Sequence, residues 1–200
     1  MAFHGATVAR PIQYDTEEVI EKAMQAFWEK GYHATSMADL VEITGLKPGS
    51  IYAAFHSKEN FFIAAVDHYG KKGSEAVRRM LTEAPTHLQG IRNFIQGIAV
   101  DVADPGSKRS CFLVNTVLEL ASQNEVAGRR AALHLDAIEN HVRSALEMSA
   151  KKGELSSEKD PVSLAAFIMC NIWGLRVLGG TKPSPERVGM VVSCLLSTLD

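Results

Sequence analysis

Apolar residues recur three and four places apart along almost the whole chain, the spacing of one face of an α-helix. Val19, Ile20, Ala23, Met24 and Phe27 repeat in this way after a first turn crowded with acids, where the helix dipole favours them. Gly31 stands where a cap would close this helix of about 15 residues. Ser36 and Asp39 fit a capping box ahead of Met37, Leu40, Val41 and Ile43, and Gly45 ends this second helix after about two turns. Leu46, Ile51 and Phe55 mark the buried side of another short helix. Pro48, tolerated only in a first turn, sets its start near Lys47. Ser57 caps a long helix over 58–83, with Phe61, Phe62, Ala65 and Val66 inward and with Gly70 and Gly73 weakening its middle.

Beyond Pro85 the chain is more apolar. Helices are predicted over 86–104, 111–123, 125–153, 161–180 and 184–199, with turns at 104–110 and 156–160. Pro161 opens the fourth of these, which reads as strongly buried. Residues 1–14 show no periodicity and read as a flexible arm carrying Arg10. No run of strand character is bounded by hairpin turns, so the fold class is all-α.

Composition narrows the classes. The chain has 200 residues, 46% hydrophobic and 22% charged, which suits one or two compact domains with a substantial core. No repeat of 20–50 residues points to a solenoid. Net charge is −2, and residues 1–58 hold five Lys/Arg against seven Asp/Glu, so a nucleic-acid surface must rest on the placement of charge rather than its sum. Three cysteines without a CxxC pair do not make a secreted disulfide scaffold. The N-terminus lacks the basic-then-apolar pattern of a leader. The most apolar stretch, 164–180, is interrupted by Asn171 and Arg176 and is shorter than the ~20 residues a bilayer span needs. A cytoplasmic protein without membrane association is expected.

Two short helices joined by a turn at Gly45 form a helix-turn-helix, whose second helix lies in the DNA major groove. Gly49 and Ala53 permit close approach of the backbone, Lys47 can reach phosphate or guanine, and Ser50 and Tyr52 supply hydroxyls. Lys58, Thr35 and Ser36 open the neighbouring helices, where free N–H groups favour phosphate. Arg10, Pro48 and His56 complete the DNA-contact set. The plainer alternative is an αα-hairpin with Tyr52 as packing. The ordered segment FWEKGYHATSMADLVEITGLKPGSIYAAFHSKENFF decides between them. Across residues 16–65 it resembles the DNA-binding region of TetR-family transcriptional repressors, through EKG-Tyr32, Thr35-Ser36, Leu40, Gly45, Gly49-Ser50-Ile51-Tyr52, Phe55 and Ser57-Lys58-Glu59. The resemblance implies a three-helix DNA-binding domain, 1–58, and a helical domain for ligand and dimerisation, 59–200. It also implies a homodimer on a palindromic double-stranded operator, released by a small-molecule effector.

The second half offers less. The helices 161–180 and 184–199 carry more apolar surface than one face needs, and Phe167, Ile168, Ile172, Trp173 and Val177 are candidates for a dimer interface. Phe94, Cys111, Phe112, Asn115, Leu118, Glu119, His134 and His141 are the mixed polar and apolar residues available to an effector pocket. Cys111 opens a helix beside Lys108 and Arg109, a setting that favours thiolate. CFLVNTVLELA also resembles a C-terminal signature of one TetR-family branch. A thiol-based sensor of electrophiles or oxidants is therefore an alternative, as is an all-helical carrier of small molecules that does not bind DNA. His134 and His141, with Glu139 near, lack the further ligands a metal site requires. No nucleophile elbow, P-loop, HExxH or dinucleotide fingerprint is present. Neither a cofactor nor an enzymatic activity is expected.

Overall fold

The computed structural model describes residues 14–104 and 111–200. Arg10, Lys108 and Arg109 lie outside the described residues. Nine helices and no strand are found among those described: α1 Thr16–Lys30, α2 Met37–Thr44, α3 Pro48–Phe55, α4 Lys58–Glu83, α5 His87–Ala103, α6 Phe112–Leu120, α7 Glu125–Lys151, α8 Pro161–Gly179 and α9 Pro185–Ser197.

Local chemistry sets most boundaries. Asp15 accepts the Glu17 N–H at 2.9 Å and opens α1. Ser36 and Asp39 close a reciprocal capping box on α2. Lys47 is the residue before α3 and Pro48 its first. Ser57 accepts the Asn60 N–H at 3.0 Å and starts α4. Asp160 and Ser184 do the same for α8 and α9.

Packing divides into two cores. The first gathers α1, α2, α3, the first half of α4, α6 and the first half of α7 around Phe27, Leu40, Ile51, Phe61, Phe62 and Leu113. Phe27 meets Phe62 edge-on at 5.0 Å, and Phe55 stacks on Phe61 at 3.9 Å. The second joins Leu81, α5, the rest of α7, α8 and α9 around Ile91, Ile95, Leu146 and Ile168. Trp173 and Ile138 touch both. The hydrophobic packing is thus continuous across residue 58.

Helices α4 and α7 form the spine. Gly70 is buried there because a Cβ would lie 2.2 Å from the His134 ring. The His134 ring also meets the Asp67 carboxylate at 2.8 Å. The helix-weakening glycine of the sequence is therefore the notch that lets α7 approach.

By length and composition α8 would pass for a membrane span. Its Ala165, Ile168, Met169, Ile172 and Leu175 are instead buried against α5, α7 and α9. Arg176 pairs with Asp101 at 3.1 Å.

Candidate nucleic-acid interface

Helix α3 has two unlike sides. Ile51 and Phe55 are buried, and Leu46 anchors the turn before them. On the other side Lys47, Pro48, Gly49, Ala53 and His56 are exposed, and Tyr52 is 49% exposed. Ser50 is half-buried. About half of Tyr52 is therefore open to solvent beside buried Ile51 and Phe55. The Thr44 hydroxyl donates to the Leu40 carbonyl at 2.6 Å and its oxygen accepts the Leu46 N–H at 3.4 Å, which fixes the turn from α2 into α3. His56 closes α3 with φ 65°, a left-handed backbone unusual for a non-glycine residue.

Burial rules out one sequence assignment, and two others have partners within the protomer. Thr35 is fully buried and its hydroxyl donates to the Gly31 carbonyl at 2.7 Å, so it has no side chain to offer a phosphate. Ser36 is exposed, but its hydroxyl serves the capping box. Asp39 already fills the N-terminus of α2. The Lys30 ammonium at 2.6 Å, then the Ser36 hydroxyl and N–H, hold its carboxyl far below the usual carboxylate range. Lys58 places its ammonium 4.4 Å over the Tyr32 ring, at the seam between α4 and the α1–α2 turn. Burial lowers its pKa, and the Glu119 carboxylate opposes that shift.

The effector candidates scatter. A partly open cavity of about 100 Å³ lies between α4, α5, α6, α7 and α8, with Tyr69, Phe94, Cys111, Leu135, Trp173 and Arg176 in its wall. Only Phe94 and Cys111 of the sequence candidates line it. The Tyr69 hydroxyl donates towards Cys111 Sγ at 3.9 Å, and burial, with Cys111 adding to it, raises the Tyr69 pKa. Phe112, Asn115, Leu118 and Glu119 instead line an outer groove between α1 and α6. Leu118 is exposed there, and the Glu119 carboxylate accepts backbone N–H groups of Tyr32 and His33. His134 is engaged by Asp67, and His141 by Ser74 at 3.0 Å. No group of three metal-ligating side chains occurs among the described residues.

The dimer candidates divide as well. Ile168 and Ile172 are buried inside the protomer, and Ile172 and Trp173 belong to the cavity wall. Ile168 and Ile172 thus offer a partner no surface, while Trp173 is half-buried. Phe167 and Val177 remain, 49% and 47% exposed on the opposite side of α8. Sequence reasoning missed Tyr69 and Arg176 as wall residues. Both left a signal: Tyr69 continues the inward spacing of Phe62 and Val66, and Arg176 is a charge inside the most apolar helix.

Comparison with known proteins agrees with this geometry. Residues 19–65 match the family of bacterial regulatory proteins described as the tetR family, and residues 88–180 match the tetracyclin repressor-like C-terminal domain. Over 189 residues the chain is 28% identical to the HTH-type transcriptional repressor ComR of Escherichia coli (strain K12), covering 94% of this chain and 90% of that one. It is 25% identical over 194 residues to the HTH-type transcriptional regulator YezE of Bacillus subtilis (strain 168), covering 96% and 100%. A solved cysteine mutant of the TetR family transcriptional regulator CifR, in complex with 26 bp of double-strand operator DNA, superposes with a TM-score of 0.84 at 26% identity, covering 96% of this chain and all of that one. With both its DNA-reading and its C-terminal region matched, the chain belongs to the TetR family of DNA-binding transcriptional regulators.

Proposed function

We propose that the chain is a homodimeric repressor that a small molecule releases from a palindromic operator. The carrying observation is the two-sided α3: an apolar side locked into the first core, and an open side of Lys47, Pro48, Gly49, Ser50, Tyr52, Ala53 and His56. Lys47 makes no ion pair among the described residues, so its charge is available to phosphate or to guanine O6 and N7. Gly49 lets the first turn come close to the duplex. Residues 1–58 read DNA and residues 59–200 hold effector and partner, a division of labour laid over a continuous core. The protein works in the cytoplasm, without membrane or catalytic role.

Dimerisation is assigned to α8 and α9. Phe167, Cys170, Gly174 and Val177 are exposed at three- and four-residue steps on α8, and Met190 and Cys194 four apart on α9. Such a stripe is what a second copy would cover. Two copies place their α3 helices about 34 Å apart, one turn of the duplex. The experiment is a gel shift on duplexes selected from a random pool, with Lys47→Ala and Tyr52→Ala beside the wild type. Loss of binding in both variants at unchanged thermal stability supports the reading; equal affinity in all three contradicts it.

The cavity gives the effector a place between α4, α5, α6, α7 and α8, where Tyr69, Cys111 and Arg176 add polar groups to a largely apolar wall. A covalent variant of the same reading is favoured by one observation: Cys111 lines the cavity, its Sγ 3.9 Å from the hydroxyl of Tyr69, another wall residue. In that variant the thiol is the effector's contact, and Cys111→Ser abolishes release while leaving operator binding intact. Unchanged release in Cys111→Ser contradicts it.

A further inference from the structure

The turn between α1 and α2 carries the orientation of the whole DNA-reading unit. Gly31 leaves α1 with φ 82° and ψ 165°, so that the N–H groups of Tyr32 and His33 both face α6. Glu119 receives them with different oxygens, Tyr32 N–H on Oε2 at 3.3 Å and His33 N–H on Oε1 at 3.2 Å. A Cβ on residue 31 would stand 3.2 Å from each of those oxygens, so the missing side chain lets the carboxylate in. The same turn then continues through Thr35, whose hydroxyl holds the Gly31 carbonyl, into the α2 capping box and the Lys30–Asp39 pair. Whatever fixes the turn therefore fixes α2, and through the Thr44 turn α3.

The surroundings favour a specific clasp over a casual surface contact. The Tyr32 ring packs on Phe62 at 4.9 Å, with the Lys58 ammonium above it. Helix α6 is anchored at its other end by Phe112, 5.6 Å from Phe62, and there its Cys111 and Leu113 enter the cavity wall. The groove beside the carboxylate, of about 460 Å³, is open, so water can replace Glu119 on the two N–H groups. Its loss should consequently cost orientation rather than folding.

Resting on the regulator reading above, we propose that Glu119 is the positioning residue that clamps the DNA-reading helices onto the C-terminal body by receiving the Tyr32 and His33 N–H groups. It touches no DNA. It holds α3 in the reading geometry through Tyr32, 87 residues away in sequence.

Two readouts on full-length dimer test this. In Glu119→Ala the backbone amides of Tyr32 and His33 exchange with solvent faster. Affinity for a duplex selected by the wild-type chain falls about tenfold, as when roughly one chain in ten holds the competent geometry. Glu119→Gln falls in between, because its amide nitrogen cannot accept the second N–H. It also keeps the test open should the alanine variant fold poorly. Unchanged exchange at both amides overturns the clasp, and faster exchange with unchanged affinity overturns its positioning role. Wild-type protein that selects no duplex overturns the regulator reading and this one together, whereas wild-type binding matched by both variants overturns this one alone.

Discussion

Helices α2 and α3 and helices α8 and α9 both leave unpaired faces, but of opposite kinds. On α3 the apolar residues are spent inside the protomer and what remains outside is a cation, a half-buried serine, small residues, a histidine and one tyrosine. On α8 the apolar residues outnumber what the protomer can bury, and phenylalanine and valine stay outside. A polar, close-approach surface suits a hydrated, charged duplex. An apolar one suits a copy of itself. Exposure alone says little; the chemistry of what is exposed separates the two partners.

The largest effect should come from the inward side of α8. Ile168→Ala removes a fully buried side chain and should cost about 2–5 kcal/mol by denaturant unfolding, at every protein concentration. One residue away, Phe167→Asp should leave the protomer folded but weaken dimerisation by about 2 kcal/mol or more, read as a shift to monomer in analytical ultracentrifugation. An Ile168 variant that behaves like the Phe167 variant would merge the two sides of α8 and undo the contrast.

On α3 the expected effects are on binding. Lys47→Ala should weaken operator affinity by about 1–3 kcal/mol in a gel shift while changing unfolding free energy by less than about 0.5 kcal/mol. Loss of stability with no loss of binding would make this face structural.

Much of the N-terminal half was legible because its signals are local. Pro48, Gly45, Ser36 with Asp39, and Ser57 each act on residues within four positions, and each lies where the pattern placed it. The second half fails differently. Apart from Ser163, Asn171 and Arg176, helix α8 has apolar or small residues on every side, so its pattern contains little direction, and Ile168, Ile172 and Trp173 could not be told from Phe167 until α5, α7 and α9 were in place. Glu119 read as a pocket residue because its two partners are 86 and 87 residues distant. His134 read as a candidate contact because nothing in the sequence shows Gly70 beneath it.

The smallest effect concerns acid stability. Asp39 has its pKa depressed in the folded chain, so the unfolded chain binds the proton more readily. The contribution is whole above the unfolded carboxylate value of about 4 and fades as pH falls towards the folded one. Asp39→Asn should therefore flatten the stability profile below about pH 4 and lose its cost there relative to neutral pH. A wild-type profile equally steep in the variant would show that Lys30 and Ser36 do not hold the carboxylate in solution.

The central claim is that two chains present their α3 helices to one face of one duplex. Hydroxyl-radical footprinting of a duplex selected from a random pool, with protein–DNA stoichiometry determined on the same complex, tests it most directly. The account predicts two chains per duplex and two protected half-sites whose centres lie about 34 Å apart, both lost in Lys47→Ala. A single protected half-site with one chain bound, or protection that survives Lys47→Ala and Tyr52→Ala alike, would contradict it.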